Sequence, residues 1–218
     1  MNHKLLKPLP KHLVHRYQGW KATTYDENKA WYQRLNEYGQ NPRSMIISCC
    51  DSRVQVTSIF GADSGEFFIH RNIANLVPPY QKDMEYHGTS AAIEYAVQTL
   101  KVSNIMVLGH SNCGGVQGIY PYFSGMTLEL YDKTTFVRRW LEILRPGYDR
   151  LPKYSNSEDT IKALEKQTVL VSLENLVGFP FIKSALEEER ISLHGLWHNI
   201  GSGILSYYNS ETRSFELV

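Results

Sequence analysis

The 218-residue sequence has only three cysteines, Cys49, Cys50 and Cys113, too few and too unevenly placed for a disulfide framework. It has no surplus of either charge. With 23 basic and 22 acidic residues the net charge is +1, which argues against the basic face of a nucleic-acid binder and the acidic tail of a disordered arm. No apolar run approaches the ~18 residues needed to span a bilayer, so no membrane partner is expected. The opening "MNHKLLKPLP" carries positive charge without the apolar stretch of a signal peptide. Internal repeats and low-complexity linkers are absent too. The expectation is a cytoplasmic protein in a reducing compartment. There, cysteines this few, two of them adjacent, read as metal ligands, as reactive groups or as small buried hydrophobes.

What is present is ordinary for a globular chain, 42% hydrophobic and 21% charged. Residues 1–38 read as a helical arm. In "TTYDENKAWYQRL", Thr24 and Glu27 have the spacing of a capping box at a helix start. Tyr17, Trp20, Tyr25, Trp31 and Tyr32 make the arm rich in aromatics, to be packed on its own domain or on a second subunit. Residues 39–218 read as one domain. "SMIISC" (44–49), "GEFFIHRN" (65–72) and "NIMVLGH" (104–110) are apolar strands, and "HGTSAAIEYAVQTL" (87–100) has helical spacing. That alternation predicts an α/β fold with a mainly parallel central sheet flanked by helices. The pattern weakens from 119 to 160, apart from a helix over 134–144. "KALEKQTVLVSLENLVGF" is long enough to be helix despite its β-branched centre, and "ISLHGLWH" (191–198) reads as the final core strand before a short tail.

Two strands end in metal-ligand residues: Cys49 after "SMIIS", and His110 after "IMVLG" with Cys113 three residues later. Reactive groups gather at the carboxyl ends of strands in a parallel sheet. If these strands are neighbours, two thiolates and one imidazole converge there, a donor set that suits tetrahedral zinc with one position left open. Cys50 competes as a fourth ligand, but successive side chains leaving a strand diverge. The same alternation puts Asp51 and Arg53 on the side of Cys49. Arg53 can hold the carboxylate in a bidentate grip, leaving Asp51 to orient a water at the metal or to swing onto the metal as a plug. Zinc with two thiolates and a neutral imidazole is formally neutral. It therefore acidifies water less than a three-histidine site, where the pKa is about 7. Arg53 and backbone donors of the Gly114–Gly115 turn are the available compensation.

The joint pattern C-x-D-S-R … H-x-x-C-G resembles the β-class carbonic anhydrases. The resemblance extends through "GQNPRSMIISCCDSRV", "FFIHRNIANLVPPY", "HGTSAAIEYAVQTLKVSNIMVLGHSNCGGV" and "LHGLWHNI". It implies a zinc lyase that reversibly hydrates CO2 to bicarbonate, with one Zn²⁺ per subunit held by Cys49, His110 and Cys113. Asp51 and Arg53 form the dyad beside it. It also implies a CO2 pocket lined by Gln40, Phe68, Ile73, Tyr95 and Gly114, and a homodimer or dimer-based tetramer whose N-terminal helical arm packs on a partner subunit. Two positions depart from the family pattern: Cys50 where a small polar residue is common, and Ile46 in place of a tryptophan that accompanies a second, inhibitory bicarbonate pocket. His70, His87, His194 and His198 are candidates for the proton relay. Competing readings are hydrolysis of carbonyl sulfide or carbon disulfide at the same zinc, and a non-catalytic zinc protein with Asp51 as permanent fourth ligand.

Overall fold

The run Ser44–Cys49 is buried at every position, and an all-buried, isoleucine-rich segment needs neighbours on both edges and cover on both faces. The computed structural model, which describes residues 5–82, 87–126, 134 and 136–218, supplies both. Six strands lie in the order β2-β1-β3-β4-β5-β6. They are β1 Ser44–Cys49, β2 Phe67–Asn72, β3 Asn104–His110, β4 Ser192–His198, β5 Leu205–Asn209 and β6 Ser214–Leu217. The pairs β1–β2, β1–β3 and β3–β4 are parallel, while β4–β5 and β5–β6 are antiparallel. The sheet is therefore mainly parallel, with β1 and β3 neighbours. The segment predicted to be the last strand is not the last. The expected tail returns as two antiparallel strands, turned at Asn209, whose Oδ1 accepts the backbone N–H of Glu211 at 2.9 Å.

The chain divides into two compact units, Met1–Gln40 and Asn41–Val218. In the first, helix α1 Lys11–Trp20 runs on through a π-helical turn at Lys21–Tyr25 and breaks at Asn28 before α2 Lys29–Tyr38. Thr24 is thus interior to a helical run rather than its cap. Its carbonyl accepts from Asn28 Nδ2 at 2.9 Å. Trp20, Tyr25 and Tyr32 close on one another across the break, with the Tyr25 and Tyr32 rings stacked at 5.3 Å. No residue of α1 or α2 is buried.

In the second unit the further helices are α3 Val56–Phe60, α4 Gly88–Glu94, α5 Gly114–Phe123, α6 Phe136–Leu141, α7 Arg145–Asp149, α8 Ser157–Val177 and α9 Pro180–Glu187. Helix α4 continues as a π-helical stretch through Thr99. The stretch with weak periodicity contains α5, α6 and α7. Pro121 sits in the last turn of α5, and the predicted 134–144 helix is α6 followed by a 3₁₀ turn at Glu142–Leu144; Thr135 lies outside the described residues. Helix α8 is the 21-residue helix that the length argument favoured, and it has a polar buried stripe at Glu165, Thr168 and Ser172. That stripe holds the loop after β2. Asn75 Nδ2 donates to Thr168 Oγ1 at 2.9 Å, and Ser172 Oγ takes the Val77 N–H while donating to the Asn75 carbonyl, both at 3.0 Å. These bonds fix Ala74 and Asn75 at φ 60° and 48°, a left-handed conformation costly for residues with a Cβ.

Candidate metal centre

Cys49 closes β1, and His110 closes β3 on the adjacent strand. Cys113 follows after a tight turn in which Asn112 takes φ 54°, and it precedes the first residue of α5. The two Sγ atoms and a His110 ring nitrogen all lie within 4.8 Å of one another. All three side chains are buried: Cys49 is 5%, His110 1% and Cys113 2% exposed. His110 Nδ1 faces the Ser111 carbonyl at 2.9 Å and so carries the proton. Its Nε2 is buried without a hydrogen-bond partner among the described residues. A buried lone pair aimed at two thiols fits a thiophilic, imidazole-accepting ion such as zinc.

The thiols are prepared for ionisation. Cys49 is pulled down to about 4, first by a hydrogen bond with Cys113 and then by His110 and the Asp51 backbone, against the opposing effect of burial. Ala74 N–H also points at its sulfur, at 3.4 Å. Cys113 is pushed far up by the Cys49 sulfur and by burial, while the N–H groups of Gly115 and Val116 act in the opposite sense. Two sulfurs this close do not readily both ionise unaided, and a bound cation would favour the doubly ionised pair.

Asp51 and Arg53 lie beyond the end of β1 on a turn closed by Val54 N–H to the Asp51 carbonyl at 3.0 Å, not on an extension of the strand. Hydrogen bonds rather than strand alternation pair them. Arg53 Nε donates to Asp51 Oδ1 at 2.9 Å and its NH2 to Oδ2 at 2.7 Å, with the Arg53 backbone N–H on Oδ1 at 3.0 Å. The same NH2 reaches the Asn112 carbonyl at 2.8 Å and so ties the Asp51 turn to the His110–Cys113 loop. The guanidinium holds the Asp51 carboxyl far below the ordinary carboxylate range, so it is an acceptor only. Cys50 is exposed and lies outside the cluster. Ile46 is fully buried in an apolar cluster with Val54, Leu108 and Leu196.

The other residues named from the sequence fall in three places. Gly114 opens α5 directly after Cys113, and a Cβ there would meet nothing within 4 Å. Ile73 lies close by, its Cγ2 3.0 Å from where a Cβ on Gly115 would stand. Phe68 and Tyr95 pack on each other with ring centroids 5.8 Å apart, away from the cluster. Phe68 is in register with Met45, four residues before Cys49 on β1, or roughly 13 Å back at about 3.3 Å per residue. Gln40 is the last residue of the N-terminal unit and is exposed. Of the histidines, His198 stands opposite His110 in the β3–β4 register. His70 Nε2 is 3.0 Å from Thr89 Oγ1, His87 pairs with Ser90 Oγ, and His194 contacts Asn104 Oδ1 at 3.3 Å.

Two supporting residues had no sequence signal. Arg71 donates from Nε to the Cys49 carbonyl at 2.9 Å and from NH2 to the Asp51 carbonyl at 2.7 Å, gripping the turn from β2. Glu165 on α8 is 2% exposed and accepts the Cys113 N–H on Oε1 at 3.1 Å. Burial pushes its carboxyl up to about 6.

A thiol–imidazole–thiol cluster at the carboxyl edge of a mainly parallel sheet, with an acid–guanidinium pair beside it, defines a metal-dependent α/β enzyme. The carbonic anhydrase family model matches residues 44–205. β carbonic anhydrase 3 of Arabidopsis thaliana is 33% identical over 198 residues, 89% of this chain and 75% of its own length. The structure of the β-carbonic anhydrase CcaA superposes with a TM-score of 0.79 at 28% identity, covering 95% of this chain and 91% of that one. One of two tetrameric β-carbonic anhydrases of the ascomycete Sordaria macrospora gives 0.75 at 28% identity, over 90% of this chain and 95% of that one. The chain belongs to the β-class carbonic anhydrases, the family that hydrates CO2 with zinc.

Proposed function

We propose that Cys49, His110 and Cys113 hold the catalytic zinc and that Asp51, kept in place by Arg53, orients the water that attacks CO2. The observation carrying this reading is the buried His110 Nε2, which has no hydrogen-bond partner among the described residues and lies between two thiols. Zinc bound there supplies Lewis acidity that makes a nucleophile of water near neutral pH. Asp51 contributes direction. Of the roughly four lone-pair positions of a carboxylate, Arg53 occupies two on Oδ1 and one on Oδ2. The position left on Oδ2 accepts the O–H of the attacking water and turns an oxygen lone pair toward CO2. Ile73 and Gly114 give the apolar, open wall beside Cys113, and Gln40 donates to a substrate oxygen as charge develops there.

Phe68 and Tyr95 belong to the CO2 pocket only in an assembly. They stand back from the cluster of their own chain, Tyr95 is 44% exposed, and β2 is the sheet's outer strand with Ile69 36% exposed. A homodimer, alone or paired into a tetramer, would place them in a partner's pocket, with the aromatic-rich arm packed on that partner. The tetrameric Sordaria relatives support this assembly. We infer a cytoplasmic location from cysteines that are free rather than disulfide-bonded, as a reducing compartment favours.

Stopped-flow CO2 hydration on zinc-loaded protein tests the roles. Asp51→Ala should retain one zinc per chain and lose roughly 10²-fold or more in kcat, whereas Cys113→Ala should lose the metal. Full turnover by Asp51→Ala would remove the orienting role.

A further inference from the structure

Ile73 and Ala74 share one peptide group, and both of its ends are engaged. The Ala74 N–H points at Cys49 Sγ, 3.4 Å away, and the Ile73 carbonyl accepts the Trp140 indole N–H at 2.8 Å. In a planar trans peptide these two ends face opposite ways, so sulfur and indole hold the same group from either side. Trp140 stands on α6, in the stretch where the sequence pattern weakens, and belongs to neither the metal cluster nor the Asp51–Arg53 pair. Its indole is half-buried against the apolar cluster that contains Cys49, Ala74 and Cys113. A Cβ on Gly115 would stand 3.0 Å from Ile73 Cγ2, 3.3 Å from Ala74 Cβ and 3.4 Å from Leu141 Cδ2. Helix α6, this peptide and the start of α5 therefore meet without spare room. From the other side, Asn75 is tied to α8 through Thr168 and Ser172. Two helices thus clamp a turn in which Ala74 takes the left-handed φ of 60°.

An amide N–H becomes a better donor when the carbonyl of its own peptide group accepts a hydrogen bond, because both bonds polarise the amide in the same sense; the gain is about 10–30% per bond. With Cys49 a metal ligand, as in the function proposed above, we propose that Trp140 is a positioning residue of the metal centre. Its indole N–H fixes and polarises the Ile73–Ala74 peptide, so that the Ala74 N–H faces Cys49 and draws charge from its sulfur. Tryptophan suits this task because its N–H donates and never accepts, so it engages the carbonyl and cannot compete for the Ala74 N–H. A tryptophan that merely covered the carbonyl would add stability and leave the sulfur unchanged.

Cobalt(II) in place of zinc in the full chain reads the sulfur directly, because thiolate ligands give a charge-transfer absorption whose energy falls as the sulfur grows richer in electrons. The unaltered protein should show that band; its absence would remove the thiols as ligands, and the role of Trp140 with them. Trp140→Phe keeps an aromatic ring and removes the donor. It should still bind one cobalt per chain, with the band moved to longer wavelength. Val137→Ala, one turn earlier on α6, trims packing and keeps the indole, so the band should stay in place. If Trp140→Phe does not fold, benzothienylalanine at position 140 keeps the fused rings with sulfur in place of the N–H, and the same displacement is expected. A band present in the parent and unmoved in the donor-free protein, or moved equally by Val137→Ala, would overturn the proposal while leaving the metal ligands standing.

Discussion

Gly109 immediately precedes His110, and α8 crosses β3 so closely there that a Cβ would stand 2.8 Å from Val169 Cγ2, 3.4 Å from Thr168 Oγ1 and 3.5 Å from the Glu165 carbonyl. Val169 has nowhere to retreat. It is fully buried, its β-branched side chain is stiff in a helix, and its Cγ1 is 2.9 Å from where a Cβ on Gly195 would stand. Gly109→Ala must push α8 off the sheet or turn Val169 off its rotamer, an overpacking cost of about 1–3 kcal/mol. Reduced freedom of the unfolded chain returns about 0.4–1 kcal/mol, leaving a net loss of about 1–2 kcal/mol. For a chain of this size Tm should fall by roughly 2–8 °C. The displacement also reaches the site, because Glu165 lies one turn before Val169 on the same helix and holds Cys113. Zinc affinity should fall along with stability. Calorimetry of zinc-loaded protein reads the first, and competition with a chelator reads the second. Val169→Ala alone should cost about 2 kcal/mol for two buried methyl groups and the space they leave. Combined with Gly109→Ala it should cost about 1 kcal/mol less than the sum of the two changes. Coincident melts for Gly109→Ala and the parent, or strict additivity in the double variant, would refute the close-packing argument.

Arg71→Met removes both bonds to the turn after Cys49, so kcat should drop while zinc stoichiometry holds; loss of zinc instead would make Arg71 a support of the cluster rather than of Asp51. Burial holds the His70 imidazole below its ordinary value of 6.5. The unfolded chain therefore takes up this proton first, and stability that is full above about pH 6.5 is lost as pH falls through that value toward the lower native one. His70→Gln should flatten the acid-side slope of unfolding free energy in urea titrations at stepped pH, and an unchanged slope would assign it to other groups. Tyr95→Asp puts a charge on the exposed Phe68–Tyr95 face and should lower the sedimentation mass together with turnover; an unchanged mass would place the interface elsewhere.

The clustering of Cys49, His110 and Cys113 was legible because two apolar runs stop abruptly at a ligand type, and parallel neighbours deliver such stops to one edge. Asp51 and Arg53 were legible as a pair for a reason that does not hold, since a turn places them and not strand phase. Glu165 was not legible. Hydrophobic periodicity finds the buried face of a helix by its apolar residues, and this stretch of α8 turns Glu165, Thr168 and Ser172 inward to bind loop and backbone groups. Arg71 was hidden for a similar reason: its acceptors are main-chain carbonyls, which leave no trace in residue type. Strands β5 and β6 are short, and their pairing is set by the Asn209 turn rather than by long apolar runs.

Zinc held by Cys49, His110 and Cys113, as proposed, would be formally neutral, and the N–H groups facing the sulfurs are what would keep such a site acidic. Cys49 Sγ takes the Ala74 N–H and is further relieved of charge by the Asp51 backbone; Cys113 is relieved in the same way by Gly115 and Val116. Each such donor draws electron density from sulfur, so the sulfur would give less of it to a bound metal. Arg53, the most conspicuous cation nearby, commits its donors to Asp51 and to the Asn112 carbonyl. Tuning of a metal bound there would be carried mainly by backbone: the left-handed Ala74, fixed through its neighbour Asn75, turns an N–H to Cys49, and the start of α5 turns others to Cys113. In both places main-chain N–H groups face a sulfur.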